Sequence, residues 1–391
     1  MITELRKKYN NSFNVNNYEA FINDLKTFTY YPIDFRVSET PLFINSALTS
    51  KFLEASDDLL NQLNDENFKL KSDCAIPQHL RVPNEDSHPQ FLCLDFAITK
   101  DESGSFTPKL IELQGFPSLF SYQYYLDIIV RKHFDIPKNF SSFFNGLEGE
   151  KYIQLLKKVI LSDKDPKNVI LLEIDPPQQK TRVDFACTEE LVGIKTVNLS
   201  DVKKRGNKLY YNDNGKEIII ERIYNRVIYD ELNRKDFKYS FNFRDELNVE
   251  WAGHPNWFFK ISKYSLPSLK GKYVPRCFFL NELDKYPDEL SQFVLKPLFS
   301  FAGLGVEIDV TKEMLDKITD RSNYILQEKV DYAPIIETPD GYAKVEVRLM
   351  FLWVDKPLLA TNLVRTSKGK MMGVDFNKNK TWVGSNLAYH P

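Results

Sequence analysis

Cysteine is sparse in this 391-residue chain: Cys74, Cys93, Cys187 and Cys277 are the only four, and no two form a Cys-x-x-Cys pair. A disulfide scaffold and a thiolate zinc site are therefore not expected. Five histidines stand at 79, 88, 133, 254 and 390 without metal-ligand spacing, which argues against a histidine zinc site too. No apolar run approaches the ~20 residues of a membrane span. No signal-peptide pattern opens the chain, so a reduced cytoplasmic protein with no membrane partner is expected. The formal net charge of −2 gives no general attraction to nucleic acid. Internal repeats and low-complexity segments are also absent. What abounds is apolar and aromatic, at 42% and 14% of residues, as in a folded globular chain. The length suffices for two or three domains.

Residues 1–45 read as a short helix followed by extended segments. From Asn45 to Leu63, apolar Leu48, Phe52, Ala55, Leu59 and Leu63 recur every three or four residues, which predicts an amphipathic packing helix. FLCLDFAI and KLIELQGFPSL follow, separated by a polar turn, and predict a β-hairpin with Asp95 on one strand and Glu112 on the other. Glu112 and Gln114 alternate by two and so share a face. An acid in an apolar strand needs a partner. Two acids beside an amide oxygen form a hard-oxygen set suited to magnesium, while pairing with arginines or exposure to solvent is the competing reading. Helices are expected at Ser121–His133, Lys151–Ser162 and Arg182–Val192, strands at Asn168–Glu173 and Ile194–Val197, and a hairpin turning at Asn212–Gly215. Strand, helix, strand with short connections predicts a parallel sheet with crossover helices. The turn at Gln178–Thr181 ends a strand of that sheet, where ligands dock in open sheets, though it also reads as a surface turn. Arg222 and Arg226 are read as salt-bridge partners of Asp230 or Glu231, or as anion ligands.

The stretch FVLKPLFSFAGLGVEIDV, residues 293–310, predicts a hairpin: a strand carrying Lys296, a small-residue loop with Gly303 and Gly305, and a returning strand Val306–Val310. Glycines let backbone N–H groups approach an anion, and a strand lysine adds a point charge suited to phosphate. The bland alternative is an ordinary hairpin with an edge-strand lysine. A helix at Thr311–Ile318, a strand at Tyr324–Val330 and an alternating strand at Lys344–Trp353 complete the chain, with Lys344, Glu346 and Arg348 on one face. Arg365 and the basic loop SKGKMMG come last.

These pieces, in this order, resemble the ATP-grasp superfamily. The matching stretches are FVLKP…FAGLGV, YILQEKV, KVEVRLMFLW and LLATNLVRTSKG. Ordinarily the acid hairpin comes after them, whereas here FLCLDFAI and KLIELQGFPSL come far before. The chain is therefore similar to circularly permuted ATP-grasp proteins, such as the ATP-grasp part of glutathionylspermidine synthase, over most of residues 90–385. IIIERIYNRVIYDEL is also similar to a strand and turn found there. The resemblance implies an α/β fold with α+β elements. Residues 1–150 would carry the acid hairpin, 151–255 a Rossmann-like pre-ATP-grasp domain, and 256–391 the nucleotide-binding half.

It also implies roles. Lys296, and an earlier lysine, Lys263, would hold nucleotide phosphates, with Gly303 and Gly305 in the loop that covers them. Gln327, Glu328 and Val330 fall at the adenine hinge. Asp95 and Glu112 match the magnesium-binding acids, and Gln114 stands where the family usually has asparagine. Arg348 and Arg365 resemble arginines facing the γ-phosphate and an acyl phosphate. The implied activity is ATP- and magnesium-dependent ligation of a small-molecule carboxylate to an amine or thiol. A small-molecule kinase and a nucleotide-binding protein without turnover are the other readings.

Overall fold

In the computed structural model of the chain, residues 2–29, 33–228, 232, 237–300, 303–373 and 377–391 are described. Phe301 and Ala302 of the glycine loop, and Asp230 and Glu231, lie outside these residues.

The centre is an antiparallel sheet ordered Gly384–Asn386, Pro357–Ser367, Gly341–Trp353, Phe91–Lys100, Phe106–Gln114, with Ile336–Thr338 also paired to the long strand. Successive side chains point to opposite faces. Leu92, Leu94, Phe96 and Ile98 form one core with Val345, Val347, Leu349 and Phe351, and the helix Ser46–Asn64 adds Leu48, Phe52 and Leu59 to it. Phe52 meets Phe96 edge-on at 5.7 Å between ring centroids. Burying one such side chain is worth roughly 1.5–3 kcal/mol. The helix begins where its sequence dictates, because the Asn45 side chain accepts from the Leu48 N–H at 3.0 Å. Cys93, Asp95, Glu346 and Arg348 occupy the alternate positions of the same strands, which leaves the charges on the opposite face.

A second sheet is wholly parallel, ordered Glu250–Ala252, Arg222–Asn225, Val169–Glu173, Lys195–Asn198. Val169–Glu173 is buried along its length, as expected of a strand covered on both faces. The helix Arg182–Val192 crosses over and stops at left-handed Gly193 (φ 85°). Two departures from expectation concern local structure. Residues before 30 form two helices, Thr3–Ser12 and Val15–Thr29, rather than one. The acids expected to pair with Arg222 and Arg226, Asp230 and Glu231, lie outside the described residues; within them Arg222 pairs with Glu250 at 2.8 Å and Arg226 donates to the Pro117 carbonyl at 2.7 Å.

The second departure is the hairpin at 293–310. Only Phe293–Pro297 is a strand, and its partner is Tyr324–Glu328, which also pairs with Cys277–Phe279. Val306–Val310 contributes a single antiparallel bridge, Glu307 to Leu295, with both N–H···O bonds at 2.9 Å. Left-handed Gly303 and Gly305 (φ 76° and 73°) fold the loop back so closely that a Cβ on Gly305 would stand 2.8 Å from Pro297 Cγ. That turn leaves no extended run to pair. Among the described residues no helix is long and apolar enough to cross a membrane.

The acid hairpin is fastened directly to the C-terminal part of the chain. Gly115 N–H donates to the Ile261 carbonyl and Leu110 N–H to the Tyr273 carbonyl, both at 2.8 Å. Gly115 is required by space: a Cβ there would lie 2.6 Å from the Trp257 carbonyl oxygen and 2.9 Å from Ile261 Cβ. Gly115→Ala should therefore lower unfolding free energy by roughly 1–3 kcal/mol, read from urea denaturation. An unchanged midpoint would show that this contact is slack.

Candidate functional site

Asp95 and Glu112 are register partners across the acid hairpin, beside an irregularity between Asp95 and Phe96. On its other side Asp95 is the register partner of Arg348 on the long strand, and Glu346 is the partner of Arg365. Side chains opposite one another on a sheet face stand roughly 5 Å apart at Cβ. One row thus brings together residues far apart in sequence.

The two acids meet different surroundings. Asp95 is fully buried. Its Oδ1 accepts from Arg348 Nε at 2.7 Å, and its Oδ2 accepts from Arg348 Nη2 at 2.6 Å and Arg365 Nη2 at 3.2 Å. Buried Glu346 accepts from Arg365 Nη2 and, at 3.0 Å, from the Tyr332 hydroxyl. Burial alone would lower the Arg348 guanidinium, but Asp95 outweighs it and the net shift is upward. Burial, then Glu346, pushes the Tyr332 hydroxyl well above its ordinary range. Two guanidinium groups and two carboxylates neutralise one another here. Asp95, expected at a metal, already accepts three hydrogen bonds of the about four a carboxylate can take. Arg348, expected at a phosphate, closes Asp95 instead. Arg365 is shared between both acids, and its Nε is buried without a partner among the described residues.

Glu112 and Gln114 open instead onto a narrow cleft of about 30 Å³, lined also by Ser262, Lys263, Leu298 and Ser300. That volume holds one or two waters. Lys263 Nζ donates to the Ser300 carbonyl at 2.6 Å and stands 3.6 Å from Glu112 Oε1. Lys296 Nζ donates to the Ile111 carbonyl at 3.2 Å, one residue from Glu112. Lys296 is only 8% exposed. Among the described residues it has no carboxylate within ion-pair distance. Burial lowers its ammonium, and Glu112 offsets that only in part. Ser300 Oγ is buried and without a partner among the described residues.

Gln327 is buried opposite Val294 of the lysine strand, with its Nε2 unpaired among the described residues. Glu328 pairs with Arg276 at 2.9 Å, and that contact holds its carboxyl below the usual range. Val330 is half-buried. The loop with Gly303 and Gly305 faces the basic loop after Ser367: Lys370 pairs with Asp309 at 2.7 Å, and Met371 Cε comes to 4.0 Å of a Cβ placed on Gly303. Glu112, Gln114, Lys263 and Lys296 therefore share one place, while Asp95, Arg348 and Arg365 form the neutral network beside it.

No protein-family model and no curated protein matches the sequence. Among solved structures, the apo form of a glutathione synthetase-like effector (GSS30) from Globodera pallida matches with a TM-score of 0.59, covering 95% of this chain and 96% of that one at 12% identity. The two chains share a fold. At that identity the likeness carries the architecture and no residue's role.

Whether the residues suit magnesium is a question of donors. Among the described residues no group of three or more His, Cys, Asp or Glu side chains is placed to hold a metal. Glu112 and Gln114 supply one carboxylate and one amide oxygen. Magnesium commonly takes one or two carboxylates with phosphate oxygens and water completing the shell. Glu112 and Gln114 fit on those terms, and Asp95 does not. Sequence reasoning passed over Tyr332 and Ser300, since neither sits in a distinctive pattern. The Glu346 role was foreshadowed by its alternation with Arg348.

Asp95→Asn should destabilise the protein by about 3–5 kcal/mol with no nucleotide present, because it leaves the buried Arg348 guanidinium without its carboxylate. Chemical denaturation measures this, and a loss below about 1 kcal/mol, the range of exposed pairs, would refute the structural role.

Proposed function

We propose that this chain is an ATP-dependent ligase of the ATP-grasp type, in circularly permuted order, joining a small-molecule carboxylate to an amine or thiol. The observation that carries the reading is Lys296: a buried ammonium with a lowered pKa, held by one carbonyl beside Glu112. Such a group is costly in the free protein and is repaid by an anion. Lys263 stands with it at the same acid. The shared fold with a glutathione synthetase-like effector supports the architecture this reading needs. In it, residues 1–150 bring the acid hairpin, 151–255 form the Rossmann-like unit, and 256–391 bind the nucleotide. Four free thiols accord with a reducing, cytoplasmic setting.

The chemistry asks little covalent work of the protein. A substrate carboxylate oxygen takes the γ-phosphoryl group, ADP leaves, the amine attacks the carbonyl carbon, and inorganic phosphate departs. Lys263 and Lys296 hold the phosphates and neutralise charge that spreads in the transfer. Magnesium on Glu112 and Gln114, when bound, supplies further neutralisation of phosphate oxygens. Arg365, fixed by Asp95 and Glu346, keeps a buried Nε donor without a partner among the described residues, which an anion could take. Gln327 and Glu328 lie at the hinge proposed for the adenine. The loop at Gly303 and Gly305 closes to exclude water, which would otherwise hydrolyse the acyl phosphate.

ATP with magnesium should raise the melting temperature, and Lys296→Met should abolish that rise without lowering the melting temperature of the free protein. A Lys296→Met variant that still responds to ATP overturns the assignment. ADP release screened over carboxylates paired with amines and thiols then tests ligation. A second reading, nucleotide binding without turnover, is favoured by the engagement of Asp95 with two arginines, which leaves one carboxylate in the cleft. ATP-induced stabilisation with no ADP released over that panel would decide for it.

A further inference from the structure

His254 is wholly buried, and each of its ring nitrogens meets a backbone group. Nδ1 accepts from the Asn256 N–H at 3.2 Å, and Nε2 donates to the Pro83 carbonyl at 3.0 Å. A backbone N–H can only donate and a carbonyl can only accept, so the two partners fix the neutral ring with its proton on Nε2. A second proton has one place to go, Nδ1, and there it takes away the acceptor of the Asn256 N–H. Asn256 in turn joins two segments. Its side chain accepts from the Val82 N–H and donates to the Val82 carbonyl, each at 3.0 Å, and donates to Glu85 at 2.7 Å. Lys260 pairs with Glu85 as well, and the Gly253 N–H donates to Gln90 Oε1 at 2.8 Å. Residues 82–90 are thereby fastened to 253–260, the stretch whose Trp257 carbonyl faces Gly115 of the acid hairpin.

We propose that His254 is an acid-operated latch: a proton from solvent taken up on Nδ1 frees the Asn256 N–H, and residues 82–90 then loosen from 253–260 and from the seat of Gly115. The charged groups around the ring pull in both directions. Burial lowers the imidazole, Glu85 and Asp86 offset this in part, and Lys260 adds to it. Asp73, paired with Arg81, stands behind Lys260 at 3.5 Å, while Arg222 and His88 act on Asp86. A histidine lowered in the fold stabilises it above the ordinary value of 6.5, and that contribution is lost as pH falls from there through the folded value. Asp86 has the opposite sign, because burial raises its carboxyl and acid then favours its folded form. Loosening on acidification therefore belongs to the imidazole and not to that acid.

The test is amide hydrogen exchange of the full chain between about pH 7.5 and 5, corrected for the intrinsic pH dependence of exchange. Protection of 82–90 and 253–260 should fall several-fold below pH 6.5, while the strand Phe91–Lys100 keeps its own. Burial also lowers His390, which bonds to the Phe143 carbonyl, so a loss arising there would appear around 141–143 instead. His254→Asn places an amide oxygen near the position of Nδ1 and takes up no proton, so the acid-dependent loss should disappear. His254→Gln, which keeps a donor towards Pro83, serves in its place should the asparagine variant not fold. Protection of 82–90 and 253–260 that is unchanged down to pH 5 overturns the inference. An acid-dependent loss that persists in the folded variant overturns it too.

Discussion

A carboxylate cut off from water has to be neutralised, and Asp95 is neutralised by residues from the far end of the chain. Its bonds to Arg348 and Arg365 span 253 and 270 positions. That pairing decides the register of the central sheet as much as the apolar face does. A one-residue slip of the long strand would carry Arg348 to the apolar face and leave Asp95 buried alone. The core built from Leu94, Phe96, Val347, Leu349 and Phe52 holds the two strands together. The charged row fixes which residues stand opposite which.

The same sheet separates two electrostatic environments only a strand apart. On the long-strand side every buried acid has its arginine. On the hairpin side, Glu112 and Gln114 face a cleft that Lys263 also lines, with Lys296 held nearby on the Ile111 carbonyl. The close docking of Gly115 on Trp257 and Ile261 sets the width of that cleft, because it brings the hairpin edge against the segment that carries Lys263. Charge is balanced in the row of Asp95, Arg348, Arg365 and Glu346, whereas Lys296 has no carboxylate within ion-pair distance among the described residues. That division accounts for two neighbouring acids on one hairpin having different partners.

Much of the architecture was legible in local pattern. The period of Leu48, Phe52, Ala55, Leu59 and Leu63 located the helix Ser46–Asn64 to within a residue, because burial on one face imposes that spacing. The continuous apolar run Val169–Glu173 marked a strand of a parallel sheet for a similar reason. The hairpin at 293–310 was over-read. A glycine loop between two apolar runs looks like a turn between paired strands, yet the lysine strand takes Tyr324–Glu328 along one edge and only the single Glu307 bridge along the other. How tightly left-handed Gly303 and Gly305 fold the return against Pro297 is set by tertiary contact and leaves no trace in the alternation of either segment.

The amino-acid sequence by itself determined the elements, the juxtaposition of Asp95 with Glu112, and the presence of lysines at 263 and 296, since alternation and turn chemistry act over a few residues. Only the tertiary structure decided which charges are satisfied. Ion pairing between Asp95 and Arg348, the Lys296 ammonium without a carboxylate partner among the described residues, and the narrowness of the cleft all depend on segments brought together from distant parts of the chain. Electrostatic free energy is set by distance and burial, which a linear order of residues does not contain.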